Sequence, residues 1–456
     1  MFPLSLQSIA TACNGKLVGA DRQIDSVTTN SNQVTRGGLF VALIGERFDA
    51  HEFAEQAYEQ GAAALLVSRQ LPIDCPQVIV TDTQIGLGKI GELVRDMAEI
   101  QALAITGSSG KTTVKEMLAS ILSQAGNVLA TKGNFNNEIG VPLTLLRLDE
   151  SYDFGVFELG ANHIGEIAYT SALAKPKVAL VNNVGDAHLE GFGSRDGIAQ
   201  AKSEIYGALA SDGVAVINQD DDYADYMLQA NLNRQIVTFS VYDDSADLHA
   251  TEVKLDELGC ASFVLNYQGQ TQAIQVNLPG EHQVANGLAA AAMALQVGLS
   301  LSQVASGLSQ LAGVPGRMQL NQRSDVCIVD DSYNANPASV KAAIDWLAKN
   351  CASTSLVLGD CAELGDNAPL LHREMGEYAK TRQVDRVFSL GSLSAHASAA
   401  ADGQHFDDIQ ELQSQLLDML RQRQGPQVIV VKGSRSARME RVVQYLLTAF
   451  DEGEWQ

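Results

Sequence analysis

Leu103-Ala104-Ile105-Thr106-Gly107-Ser108-Ser109-Gly110-Lys111-Thr112-Thr113 is a short apolar run that enters a glycine-rich turn and leaves it as a helix. The helix is read from Val114, Met117, Leu118, Ile121 and Leu122, which recur at the spacing of one helical face. Strand, tight turn and helix in this order make a cradle for a phosphate chain. Such a chain needs backbone N–H groups in a concave turn, a helix N-terminus behind them, a cation for the outer oxygens and a hydroxyl beside a metal ion. Gly107, Ser108, Ser109 and Gly110 supply the turn, Lys111 the cation, and Thr112 and Thr113 the hydroxyls. The common form of the loop has its first glycine five residues ahead of Gly110, where this chain carries Ile105, so the loop is a shortened variant. A glycine turn without a phosphate role is the bland alternative, and the flanking strand and amphipathic helix argue against it.

Upstream, residues 1–82 read as a small α/β unit, with strands at 38–43, 63–67 and 77–81 and a helix near 51–59. Downstream, strands at 155–159, 178–184 and 214–218 alternate with helical stretches, which predicts a mostly parallel sheet covered on both faces. Residues 247–278 read as short antiparallel strands, an appendage to the central unit. Ala312-Gly313-Val314-Pro315-Gly316 punctuates the chain and suits a hinge. Alternation resumes after it, with strands at 326–330, 355–358, 386–390 and 428–431. The expected architecture is α/β in three domains: 1–82; 83–312, carrying the P-loop; and 313–456, a doubly wound Rossmann-like sheet.

At 456 residues, three domains also match the usual domain size. Apolar residues make up 46% and charged residues 19%, a globular composition. Asp plus Glu outnumber Lys plus Arg by 54 to 31, and the net charge of -23 argues against a duplex nucleic-acid partner. The six cysteines show neither Cys-x-x-Cys pairing nor zinc spacing with histidine, so reduced thiols are expected. The start of the chain lacks a basic n-region, and no apolar run approaches the ~20 residues that span a bilayer. A cytoplasmic, monomeric protein is the expectation.

The stretch Thr106 to Thr113 resembles the Thr-Gly-x-x-Gly-Lys-Thr-Thr loop of the Mur ligase superfamily, which includes the folylpolyglutamate synthetases. Further signatures of that superfamily follow in order: Glu158-Leu159-Gly160-Ala161, Asn182-Asn183-Val184 with His188, Ala201-Lys202-Ser203-Glu204, His282 with Asn286, Gly316-Arg317, Asp330-Asp331-Ser332-Tyr333-Asn334 and Lys432-Gly433-Ser434-Arg435. Asn136-Asn137-Glu138-Ile139-Gly140, Gly160 to Ile167 and Tyr333-Asn334-Ala335-Asn336-Pro337 look like the branch that joins D-alanyl-D-alanine to UDP-N-acetylmuramoyl-tripeptide.

The resemblance implies ATP-dependent amide ligation through an acyl phosphate, yielding ADP, phosphate and UDP-N-acetylmuramoyl-pentapeptide for peptidoglycan. It implies two Mg2+ ions, one held by Thr112 and Glu158, the other by His188 and a carbamylated Lys202. Lys111 and Arg317 would stabilise the transferring phosphoryl group, with Lys111, His188, Lys202 and Arg317 forming the catalytic set. Asn286 is assigned to adenine and Asp331 to the ribose. Ser31, Phe40, Gly45, Asp49 and His51 are expected at the uridine nucleotide, and Asn136, Asn137, Lys432, Ser434 and Arg435 at the remaining substrate groups. Each has a bland counterpart: a strand-end glutamate, a loop histidine, a helix-surface lysine. A folylpolyglutamate or sibling ligase would share the central motifs, and a P-loop ATPase switch would hydrolyse ATP without any amine.

Overall fold

The computed structural model describes residues 1–45, 48–185, 189–311, 313–350 and 352–455. Its largest sheet has nine strands. From one edge to the other they are Gln270–Pro279, Cys260–Tyr267, Leu248–Leu255, Gln235–Ser240, Val214–Asn218, Val178–Val181, Gln101–Thr106, Phe154–Glu158 and Val128–Ala130. The first three form antiparallel hairpins, and every later neighbour pair is parallel. The 247–278 strands therefore prolong the main sheet instead of standing off from it as an appendage.

Side-chain alternation explains why this sheet is covered on both faces. Leu103 and Ile105 pack with Val114, Leu118 and Ile121 of the P-loop helix Lys111–Leu122. Ala102 and Ala104 point the other way, into a core shared with Leu87, Ile90 and Val94. Those three belong to the helix Thr83–Met97, which the sequence reading did not single out because Gly86, Gly88 and Gly91 dilute its apolar stripe. A Cβ on any of the three would run into Leu66, Tyr169 or Pro142, so the glycines permit close helix packing. Asp82 starts the helix, its Oδ1 accepting N–H bonds from Gln84 at 2.8 Å and Ile85 at 3.0 Å.

The N-terminal sheet has five strands, in the order Lys16–Val18, Gln77–Ile79, Ala64–Val67, Leu39–Val41 and Val27–Thr28. One of its faces, through Leu39, Val41, Leu66 and Val78, joins the same apolar core as Ala102 and Ala104. The C-terminal sheet runs Gln319–Arg323, Val326–Asp331, Gln427–Lys432, Ser353–Gly359, Arg386–Leu390 and Gln404–Phe406, parallel except at the first pair. Helices Pro337–Leu347 and Ala368–Thr381 cover one face, while Ile409–Arg421 and Glu440–Asp451 cover the other. This is the doubly wound arrangement expected, and it places Asp331, Asp360 and Lys432 together at the carboxyl ends of adjacent strands. Among the described residues, Val314 at the junction is the one member of the C-terminal unit in an apolar cluster of the central unit, and no helix is long and apolar enough to cross a membrane.

Candidate active site

Gly110 occupies the N-cap position of the P-loop helix with φ +77°, a left-handed conformation that costs residues with a Cβ. Space imposes the same choice. A Cβ there would lie 2.6 Å from Asn182 Nδ2 and 2.7 Å from Asn286 Oδ1. These asparagines brace the loop: Asn182 Nδ2 donates to Ser109 O at 3.1 Å and to Asn286 Oδ1 at 3.2 Å. Asn183 Oδ1 accepts Ser109 N–H at 2.9 Å, and Ser108 Oγ donates to Gly185 O at 3.0 Å. The turn is thereby held open for an anion. Gly110→Ala is expected to weaken ADP binding about five- to thirtyfold, since holding the left-handed turn that binds costs about 1–2 kcal/mol and 1.4 kcal/mol is tenfold. Titration with a fluorescent ADP analogue reads it.

Around the loop, buried charged groups converge. Thr112 Oγ1 donates to Glu158 Oε2 at 3.0 Å, and Asn136 Nδ2 donates to Glu158 Oε1 at 2.9 Å. Two hard oxygens at this spacing suit Mg2+, because adjacent ligands of an octahedral ion with ~2.1 Å bonds lie about 3 Å apart. Lys111 Nζ donates to Gly107 O at 2.7 Å; burial lowers its pKa, and the Glu158 carboxylate opposes that shift. Glu363 adds a second carboxylate near Lys111. The Arg317 guanidinium stacks 4.6 Å from the centre of the Tyr333 ring, with Nη2 3.4 Å from Thr112 Oγ1. Lys202 is 1% exposed, at the end of the helix Arg195–Ser203, with Nζ 6.0 Å from the Phe192 ring centre. It makes no hydrogen bond or ion pair with a described residue. Burial drives its pKa well below that of a free lysine, and the like charge of Lys111 adds to the shift. His188 lies outside the described residues.

From the C-terminal unit, Lys432 Nζ pairs with Asp331 Oδ2 at 2.6 Å and donates to Asn334 O at 3.1 Å. Asp331 Oδ1 accepts Met318 N–H at 3.2 Å, so this buried ion pair is hydrogen-bonded on both partners. Ser434 Oγ donates to Asp360 O at 2.6 Å, while Arg435 is exposed and paired with Glu440 at 3.0 Å. A cavity of about 280 Å3 unites the halves: Lys111, Thr112 and Asn286 face Arg317, Asp331 and Lys432 across it. Trp346 also lines it, and its Nε1 donates to Leu258 O at 3.0 Å across the two units.

Other expected contacts fall elsewhere. Asn136 is committed to Glu158, and Asn137 Oδ1 accepts Gly140 N–H at 2.9 Å, capping the helix that begins there. Phe40 is 1% exposed, inside the N-terminal core. His51 is buried as well, with Nδ1 2.5 Å from Asp49 Oδ1 and Nε2 accepting Ser68 N–H at 2.8 Å. Asp49 is held at a pKa of about 2 by the His51 backbone N–H, with help from the Arg69 guanidinium. Ser31 opens a short 3-10 turn whose Asn30 side chain accepts Asn32 N–H, and Gly45 lies beneath the Phe48 ring. None of these N-terminal residues lines the nucleotide-sized cavity. The bracing roles of Asn136 and Asn182 were hidden in the sequence, since both depend on partners far along the chain.

Three family descriptions match successive parts of the chain: the Mur ligase family catalytic domain over residues 23–100, the Mur ligase middle domain over 105–294 and the Mur ligase glutamate ligase domain over 316–435. The UDP-N-acetylmuramoyl-tripeptide–D-alanyl-D-alanine ligase of Escherichia coli is 46% identical over 98% of this chain and 99% of its own. A crystal structure of MurF from Acinetobacter baumannii superposes with a TM-score of 0.92 at 36% identity, covering 98% of this chain and 99% of that one. MurF ligase from Thermotoga maritima in complex with ADP superposes at 0.82 and 28% identity, over 93% and 98% of the two chains. Loop, braced carboxylate and bipartite cavity thus occur in the setting their order along the sequence implied, and the chain belongs to the Mur ligase family.

Proposed function

We infer that this protein is the ATP-dependent ligase that joins D-alanyl-D-alanine to UDP-N-acetylmuramoyl-tripeptide, releasing ADP, phosphate and the pentapeptide of peptidoglycan synthesis. The observation that carries the chemistry is the cavity in which the P-loop meets Arg317, Asp331 and Lys432 of the other unit. Ligation needs a phosphoryl donor and a carboxylate held in line, and a cleft between two units can collect them and exclude water.

In this reading residues 1–82 receive the uridine nucleotide, with Ser31, Gly45 and Asp49 nearest the task. Residues 83–312 bind ATP, and 313–456 complete the site and receive the dipeptide, Ser434 and Arg435 facing its carboxylate. Gly107 to Thr113 cradle the phosphates with backbone N–H groups, Lys111 neutralises the outer oxygens, and Asn286 and Asp331 contact the nucleoside. As the tripeptide carboxylate takes the γ-phosphoryl group, Lys111 and Arg317 stabilise the growing charge. The acyl phosphate is then attacked by the dipeptide amine.

Thr112 and Glu158 would hold one Mg2+, and His188 with Lys202 a second, if Lys202 carries a carbamate. The bound ions supply charge neutralisation on the phosphates. A bare ammonium does not fit a metal site, whereas Lys202, buried and without a hydrogen bond or ion pair among the described residues, suits a group that exchanges its charge for an anionic oxygen pair. A cytoplasmic monomer acting without nucleic acid completes the proposal.

Incubation with ATP, Mg2+, UDP-N-acetylmuramoyl-tripeptide and D-alanyl-D-alanine should give the pentapeptide by mass. ADP formation should require both other substrates; brisk ATP hydrolysis without the amine would instead favour an ATPase switch.

A further inference from the structure

Lys115 lies on the P-loop helix with its side chain 2% exposed, yet it faces away from the phosphate cradle. Nζ donates to Thr131 O at 2.7 Å and pairs with Glu116 at 2.9 Å. A buried ammonium is costly to desolvate, and a methionine of similar length would fill the slot without that cost, so this cation needs a reason.

The local strand geometry supplies one. The strand Val128–Ala130 pairs with Phe154–Glu158 only as far as Ala130 opposite Val156. Thr131 N still donates to Val156 O at 3.0 Å, but the chain then leaves the ladder to carry residues 132–139 over the site. Two ladder groups are stranded by this departure, Thr131 O on one side and Glu158 N–H on the other. Lys115 Nζ takes the first, and Thr131 Oγ1 accepts the second at 3.0 Å. Beyond them the loop returns to deliver Asn136, whose Nδ2 reaches Glu158 Oε1 at 2.9 Å and whose O accepts Gly160 N–H at 2.8 Å. The Glu158 backbone is thus fixed by the residue that Lys115 clamps, and its carboxylate by Asn136 on the loop that leaves from that residue.

We propose that Lys115 is a positioning residue for the metal-binding carboxylate: through Thr131 it fixes the point where the chain peels away from the sheet, and so aims Glu158 at Thr112. The proposal rests on the Mg2+ role given to Glu158 above. It makes a distinct demand, because Lys115 touches neither the nucleotide nor the metal, yet its loss should read out as weakened metal binding.

Mn2+ affinity in the presence of ADP, read by electron paramagnetic resonance, is expected to fall about tenfold in K115M, the scale of losing an outer-shell partner. The Mg2+ concentration for half-maximal activity should rise in step, while KM for D-alanyl-D-alanine stays within about twofold. T131V, which removes the acceptor for Glu158 N–H, should reproduce the Mn2+ effect, and T131S, which keeps the hydroxyl, should not. If K115M fails to fold, this Thr131 pair carries the test. Folded K115M or T131V with wild-type Mn2+ affinity would overturn the role of Lys115. A wild-type protein that binds no Mn2+ with ADP would instead overturn the metal assignment beneath it.

Discussion

Lys111→Ala is expected to lower kcat by on the order of 10²-fold or more while leaving the protein folded. Among the described residues the side chain donates to Gly107 O of its own loop alone, so no distant packing there depends on it. Its value lies in transfer: a charge-assisted bond strengthens as negative charge gathers on the outgoing phosphoryl oxygens, and a buried setting amplifies it. Binding of ADP should suffer less than turnover, which separates a charge stabiliser from a simple anchor. Single-turnover kinetics beside ADP titration make the check. Near wild-type turnover would remove the P-loop lysine from the chemistry.

Lys202→Ala is expected to be nearly inactive, and wild-type activity should fall in CO2-depleted buffer and recover with bicarbonate. Carbamylation needs the neutral amine, and burial together with the Lys111 charge pushes the Lys202 ammonium in that direction. The same burial leaves an unmodified cation over the Phe192 ring, with no hydrogen bond or ion pair among the described residues. The helix that presents Lys202 is tied in place just beyond it. Glu204 accepts N–H bonds from Gly165 at 2.7 Å and Ala168 at 3.0 Å, capping the helix Glu166–Ala174. Small carboxylic acids should partly rescue the alanine variant by replacing the lost oxygens. Full activity of Lys202→Ala, or high-resolution density for a bare ammonium in an active, nucleotide-bound crystal, would refute the carbamate.

What could be read from the chain divides along physical lines. Leu103 to Thr106 and Val326 to Asp331 were legible because strands buried on both faces are written as unbroken apolar runs. Val128–Ala130 was not, since three residues carry no periodicity. The helix Thr83–Met97 stayed hidden because its glycines serve tertiary packing against Leu66, Tyr169 and Pro142. The phosphate loop needed no partner to be recognised, for its atoms are contiguous. Asn136, Asn182 and Lys115 act through residues 16 to 104 positions away, and nothing local announces such pairings. The surroundings of Phe40 were not legible, since all three residues of its short strand are buried and no alternation marks one face.

The apolar interior that runs unbroken from the N-terminal sheet into the central one has a bearing on how such a chain can change over time. A unit sharing its core with a neighbour cannot be exchanged for a foreign one without rebuilding the neighbour's side chains as well. The C-terminal unit is under no such constraint: it meets the rest through polar contacts such as those of Arg317 and Trp346, around a cleft that a ligand fills. In packing terms the three domains thus behave as two bodies. One part, N-terminal and central together, must vary in concert, while the other is free to be recruited, shuffled or retuned for a new amine.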